Sequence, residues 1–241
     1  MEITQEPTIG QLVAVNYRTA AVFKKHNIDF CCNGNRTIAD AAKENNTDLA
    51  QLESEIDQVM EAPGSDNIDY KSWPLDLLAD YVEKKHHRYV KAQIPVLGEY
   101  LIKLCKVHGQ KHPELFEINE LFDDSATEFK NHMQKEELTL FPYIKKLVIA
   151  QQENKPAQPA SFGTVQNPIQ MMMNEHTTEG ERFRKISELS NNYVAPADGC
   201  NTYRVAFALL KEFEDDLHLH IHIENNILFP KAIELETTLN S

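Results

Sequence analysis

Two histidine-glutamate pairs in this 241-residue chain carry the residue types and spacing of a metal site. His132 and Glu136 stand four apart, as do His220 and Glu224, and each pair is followed by Leu-Phe-Pro, at residues 140–142 and 228–230. The pattern H-x-x-x-E-x-x-x-L-F-P therefore occurs twice, beginning at positions 132 and 220, and a single histidine precedes each copy, His87 and His176. Residues four apart on a helix share a face, with Cβ atoms about 5–6 Å apart, so each pair presents an imidazole and a carboxylate to one point. Apolar neighbours at helical spacing place that point inside: Phe129 and Tyr143, then Phe213, Leu217 and Ile227, then Ile169, Met172, Met173 and Phe183, then Val90, Ile94 and Leu101.

Two carboxylates directed into a core require a compensating cation. Four imidazoles and two carboxylates without thiolate favour iron, manganese or zinc, and six ligands from two matched halves suit two metals. Each metal takes two histidines, with Glu136 and Glu224 bridging. The incomplete coordination leaves room for an oxo or hydroxo bridge, water or a small ligand.

The remaining histidines divide by their faces. His86 adjoins His87 and faces Leu75, Ala79 and Val82, so spacing alone leaves the two open, although the face of His87 continues through Val90, Ile94 and Leu101. His218 and His222 are rotated off the seam, and His26, His108 and His112 have no matching partner; all five read as structural or surface residues. The E-x-x-H spacing of ferritin-like iron sites occurs once, at Glu83 and His86, which disfavours that arrangement. Gly180 falls one turn after His176 on the inward face, where it leaves space either for a ligand or for close helix packing.

The elements that must position these side chains are helices. Glycine is scarce, at 8 residues, β-branched alternation is nearly absent, and apolar residues recur at helical spacing, so the fold class is all-α. Residues 7–61 read as short helices broken at Asn16, at Asp29 to Arg36 and at Asn45 to Thr47, ending in Ala62-Pro63-Gly64-Ser65-Asp66 as a linker. Four longer helices follow: Pro74 to about His108, Pro113 to about Val148, Pro168 to about Asn192, and from Asn201 or Thr202, either a suitable N-cap, to about Leu235. Pro95 and Pro142 are expected to bend theirs locally. Two units result, a small helical domain over 1–66 and an antiparallel four-helix bundle over 67–241.

Composition excludes several classes. No apolar run approaches the roughly 20 residues of a membrane span, and a net charge of −13 without a basic cluster disfavours nucleic acid. The first residues lack the basic start and apolar core of a signal peptide, and the four cysteines do not form a secreted disulfide framework, so a cytoplasmic location is expected. Adjacent Cys31 and Cys32 seldom bond to each other without strain; they read as paired thiols or as packed, inert ones. Cys105 and Cys200 read as structural.

The repeated H-x-x-x-E with its paired single histidines resembles the hemerythrin-like fold. Asp29-Phe30-Cys31-Cys32-Asn33-Gly34 with Arg36-Thr37 resembles the N-terminal motif of the repair-of-iron-centres proteins, and together the two cover nearly the whole chain. The resemblance implies a di-iron bundle behind a short domain with adjacent cysteines, holding two oxo- or hydroxo-bridged non-haem irons on His87, His132, Glu136, His176, His220 and Glu224. The spacing of His87 to Pro95 resembles the family's and selects it over His86. Cys31 and Cys32 would then serve metal, nitric oxide or redox exchange. Where the family commonly shows Cys-Cys-Gly-Gly and a basic residue, this chain has Asn33-Gly34-Asn35; Asn33 tolerates the left-handed turn expected there. Hemerythrin oxygen carriers typically use five histidines, and this chain offers four at motif spacing, which weighs against a dedicated carrier.

The function this implies is rebuilding iron-sulfur clusters damaged by nitrosative or oxidative stress, by donation of iron to damaged or apo cluster proteins. The alternatives are an enzyme reducing nitric oxide, oxygen or peroxide, and a sensor of oxygen or nitric oxide. The sequence leaves turnover, and assembly as a homodimer, open.

Overall fold

A computed structural model describes residues 6–61 and 68–241; the expected linker at 62–66 and the first residues, on which the leader argument rests, lie outside the described residues. Four short helices come first: α1 (Ile9–Val15), α2 (Thr19–Lys25), α3 (Ile38–Glu44) and α4 (Leu49–Glu61). Thr8 caps α1 in a reciprocal box with Gln11, and Thr37 caps α3 by accepting from the Asp40 N–H. The breaks fall at Asn16 and Asn45, each the residue that ends its helix.

After a 3₁₀ turn at Tyr70–Ser72, four rods form the bundle. The first joins α5 (Leu75–Tyr81) to α6 (Arg88–His108), the second α7 (Glu114–Lys135) to α8 (Phe141–Gln152), the third is α9 (Gln166–Leu189), and the fourth joins α10 (Asn201–Ile223) to α11 (Phe229–Leu239). The cap of α10 is Cys200 and not the expected Asn201 or Thr202; its thiol meets the His108 ring at 3.2 Å. Among the described residues the only β-pairing is two isolated bridges, so the class is all-α.

Three rods are interrupted by a π-helical turn, at Val82–His87, Glu136–Leu140 and Glu224–Leu228. Two of these start on the glutamate of the repeat and end just before Phe-Pro. Proline supplies no N–H and its ring crowds the carbonyl four residues back, so Pro142 and Pro230 favour an opened turn before them; the turn at Val82–His87 has no such proline. Pro95 lies inside α6 without such a turn.

The bundle core is two apolar clusters. One holds Leu97, Leu104, Phe122, Phe129, Phe183, Phe207 and Phe213, and continues into Ile9, Phe23, Phe30 and Leu52 of the N-terminal block. The other holds Leu78, Phe141, Ile144, Met172, Phe229 and Ala232. A buried layer of polar side chains accompanies them: His86, His87, His132, Glu136, His176, His220 and Glu224. Burying a polar layer costs free energy unless its groups are paired or bound, so this layer is where chemistry is to be sought.

The N-terminal block is seated on the fourth rod. The Gly10 N–H donates to the Gly34 carbonyl at 2.7 Å, and a Cβ on Gly10 would lie 2.2 Å from Asn226 Oδ1. A Cβ on Gly34 would lie 2.5 Å from the Phe30 carbonyl oxygen. Neither Asn33 nor Gly34 has a positive φ, so the expected left-handed turn is not formed. Glycine is needed at 34 for close approach, not for its backbone freedom.

Candidate metal centre

The π-turns supply His87, Glu136 and Glu224, and α7, α9 and α10 supply His132, His176 and His220; the six side chains form two groups of four. His87, Glu136, His220 and Glu224 have ligand atoms all within 4.8 Å of one another, and so do His132, Glu136, His176 and Glu224. Both glutamates belong to both groups. Glu136 Oε2 lies 3.3 Å from His87 Nε2 and 3.3 Å from His132 Nε2; Glu224 Oε2 lies 3.2 Å from His176 Nε2 and 3.2 Å from His220 Nε2. Each carboxylate thus meets one imidazole of each group, the contact pattern that two bridging carboxylates require.

These contacts are close without being hydrogen bonds. His87 Nε2, His220 Nε2 and both carboxylate oxygens of Glu136 and Glu224 are buried with no hydrogen-bond partner among the described residues. Orphaned donors and acceptors at this density are costly, and a cation converging on them removes the cost. The donor set of nitrogen and oxygen fits iron, manganese or zinc.

The other nitrogen of three of the four rings is held from behind, whereas His220 Nδ1 has no hydrogen-bond partner among the described residues. His87 Nδ1 meets Glu137 Oε1 at 2.8 Å, with Lys91 clamping that carboxylate; His132 Nδ1 meets Glu175 Oε2 at 2.8 Å, with Lys135 clamping it. His176 Nδ1 meets Asn225 Oδ1 at 2.8 Å, and Asn225 Nδ2 donates to the Cys31 carbonyl at 3.1 Å. Acceptors behind Nδ1 put the proton there and turn the Nε2 lone pair inward, as in metal-bound histidines.

Charge follows the same geometry. Burial alone would lower His132, but Glu136 and Glu175 outweigh it and raise it to about 10; His87 is raised in the same way against its own burial, by Glu136 and Glu224. Burial lowers His220. Burial would raise Glu224, but His220 and His176 hold it well below the usual range, and Glu136 is likewise lowered despite its burial and the nearby charge of Glu224. Hydrogen bonding from His132 holds Glu175 at about 2.

His86, the alternative to His87, belongs to neither group. It is fully buried, its ring stacked on His220 at 5.5 Å, with Nδ1 3.0 Å from Asp216. His222 is buried against Tyr17 and Phe30, and His218 packs on Phe30, so both serve the seat of the N-terminal block. His26 pairs with Glu55 and His112 with Asp198. Gly180 gives room to a thiol: a Cβ there would lie 3.2 Å from Cys32 Sγ, which donates to the His176 carbonyl at 3.3 Å. Cys31 is buried, with its Sγ 3.7 Å from that of Cys32, and both thiols are free.

Comparison with known proteins places this geometry. Residues 78–232 match the hemerythrin HHE cation binding domain, and residues 5–60 match ScdA_N, a domain of unknown function (DUF542). The chain is 33% identical over 237 residues to the iron-sulfur cluster repair protein YtfE of Musicola paradisiaca, covering 96% of this chain and 98% of that protein. It is 31% identical over 231 residues to the iron-sulfur cluster repair protein ScdA of Staphylococcus haemolyticus, covering 95% and 99%. The chain belongs to the ScdA/YtfE family.

For this ScdA/YtfE-family chain, the six residues of the repeat meet as their spacing predicts. Sequence reasoning missed Glu137, Glu175 and Asn225, the groups behind three of the ligand imidazoles, and Asp216 behind His86. Glu137 and Asn225 each follow a glutamate of the repeat directly and Glu175 directly precedes His176, but adjacency on a helix gives no reason to expect a shared site. The π-turns were also missed, although for the two at Glu136–Leu140 and Glu224–Leu228 the repeated Glu-x-x-x-Leu-Phe-Pro supplies a cause.

Proposed function

We propose that this chain holds two iron ions, one between His87 and His220 and one between His132 and His176, with Glu136 and Glu224 shared, and that it restores damaged iron-sulfur clusters by giving up iron. Residues 1–66 form the thiol-bearing unit and residues 67–241 the metal-bearing one. The acceptors are damaged or apo cluster proteins, met in the reducing cytoplasm. Among the described residues, no helix is long and apolar enough to cross a membrane.

The observation that carries the reading is the sharing of both glutamates between two buried groups of four, in a chain of the ScdA/YtfE family. Relatives in that family bear the name of iron-sulfur cluster repair proteins. Iron here is cargo as well as ligand partner: nitrogen and oxygen donors bind it less tightly than a set of thiolates and sulfides would, so an apo cluster site is a favourable destination. Six side-chain donors for two ions leave positions through which nitric oxide, oxygen or a competing ligand can approach.

The test is cluster restoration. Anaerobically loaded protein is mixed with an inactivated iron-sulfur enzyme while a chelator removes free ferrous iron. Recovery of the acceptor's cluster, with iron lost from this chain in proportion, supports donation. No recovery, together with catalytic consumption of nitric oxide or peroxide that persists after Cys31 and Cys32 are replaced, overturns donation in favour of an enzyme.

A further inference from the structure

Outside the bundle layer, one more group of side chains among the described residues converges at ligand distances: Asp29, Cys31 and Cys32, whose donor atoms lie within 4.8 Å of one another. The two sulfurs are 3.7 Å apart, and Cys31 Sγ is 3.3 Å from Asp29 Oδ1. A tetrahedral ion with sulfur at about 2.3 Å and carboxylate oxygen at about 2.0 Å sets its sulfurs about 3.8 Å apart and sulfur and oxygen about 3.5 Å apart. The turn already holds its donors near those separations.

The turn is also rigid. Asp29 Oδ1 accepts the backbone N–H groups of Cys31 and Cys32 at 3.0 and 2.9 Å, and Asn33 Nδ2 donates to Asp29 Oδ2 at 2.7 Å. Asn225 and Asn226 fix the Cys31 carbonyl to the fourth rod at 3.1 and 3.3 Å. The same Asn225 holds His176, and Cys32 Sγ reaches the His176 carbonyl through the space that Gly180 leaves. Of the two iron positions, the one held by His132 and His176 is therefore tied to the thiol turn, while among the described residues no hydrogen bond joins His87 or His220 to it.

We propose that Asp29, Cys31 and Cys32 form a third metal site, of thiolate character, that takes one divalent cation and receives it from the His132/His176 position. Three protein donors leave a fourth position for an outgoing acceptor, the arrangement of an exchange site and not of a closed structural one. On binding, each thiol loses its proton, two sulfur-metal bonds and one oxygen-metal bond form, and the protons pass to the vacated imidazoles or to solvent; no electron moves. The receiving role rests on the donor function above, whereas the site itself does not.

The test titrates anaerobic, metal-free full-length protein with Co(II) and follows thiolate-to-cobalt charge-transfer absorption. The expected result is three equivalents per chain, one of them carrying sulfur charge transfer; a Cys31→Ser, Cys32→Ser variant keeps two equivalents and loses that band. The two retained equivalents report that the variant is folded. A wild-type protein that shows no sulfur band, or a band that survives in the variant, overturns the site. With two irons loaded, the same variant should release one of them to a ferrous chelator severalfold more slowly and the other unchanged. Identical release in both proteins overturns the receiving role. Failure to bind two equivalents in the bundle, with the sulfur band intact, counts against the donor function and leaves the thiolate site standing.

Discussion

The Nε2 atoms of His132 and His176 stand 3.0 Å apart in the buried layer of the bundle. His132 Nδ1 faces a carboxylate, and His176 Nδ1 faces the oxygen of an amide whose nitrogen is spent on the Cys31 carbonyl, so each ring carries its proton on Nδ1 when neutral. Two neutral rings would then aim bare lone pairs at each other. Something positive must sit between them: a proton in the metal-free protein, consistent with His132 being raised to about 10, or a metal ion in the loaded one. Metal loading of the apo protein is accordingly expected to release protons, measurable as a buffer-dependent heat in titration calorimetry.

The groups behind the imidazoles set how firmly the metals are held. Replacing Glu137, Glu175 or Asn225 by Ala is expected to weaken metal binding by about 10–100-fold, because each loss frees a ring to rotate and removes the bias toward an inward lone pair. Glu137→Ala should act on the ion at His87, and the other two on the ion at His132 and His176. Competition with a chelator of known affinity, resolved into two steps, checks the assignment.

Seating of the N-terminal block depends on close approach at Gly10. A Cβ there meets Asn226 Oδ1 at 2.2 Å, so Gly10→Ala must push Asn226 away from the Phe30 and Cys31 carbonyls it serves. We expect a loss of about 1–3 kcal/mol in urea unfolding and faster alkylation of Cys32, with bundle metal content retained. Unchanged alkylation would mean that the thiol turn is held without this contact.

Acid sensitivity of the metal-free protein has an identifiable contributor in His222. Burial lowers its pKa from 6.5 to about 3, and its Nδ1 faces Asn226 Nδ2 at 3.2 Å. Between pH 6.5 and 3 the unfolded chain binds a proton at this ring that the folded chain does not, so the contribution to stability is full above 6.5 and falls as pH falls, by about 1.4 kcal/mol per pH unit. His222→Phe is expected to flatten the wild-type decline by that amount between pH 6 and 4. Equal slopes for the two proteins in urea unfolding would contradict this.

How much of this was legible in the sequence depends on the kind of signal. The helix rods and the six residues of the repeat were legible because helical periodicity and an internal duplication both act over short, fixed spacings. The choice of His87 over His86 was not settled by spacing: both are buried, and the π-turn at Val82–His87 decides which ring meets Glu136. Gly180 was legible as a gap, but its occupant, Cys32, lies 148 positions earlier in the chain, and no local pattern links the two. The left-handed turn expected at Asn33 does not form, and the need for glycine at 34, where a Cβ would meet the Phe30 carbonyl at 2.5 Å and Asn226 Oδ1 at 2.8 Å, rests on close packing that a sequence pattern does not display.

The central claim, two irons sharing two glutamates, is tested most directly by metal content and Mössbauer spectroscopy of anaerobically reconstituted protein beside a His132→Ala, His220→Ala variant, which removes one imidazole from each group. The account predicts about two irons per wild-type chain with the spectrum of a coupled pair, and loss of that coupled signal in a variant that remains helical. One isolated iron per chain, or a coupled signal that persists in the variant, would contradict it.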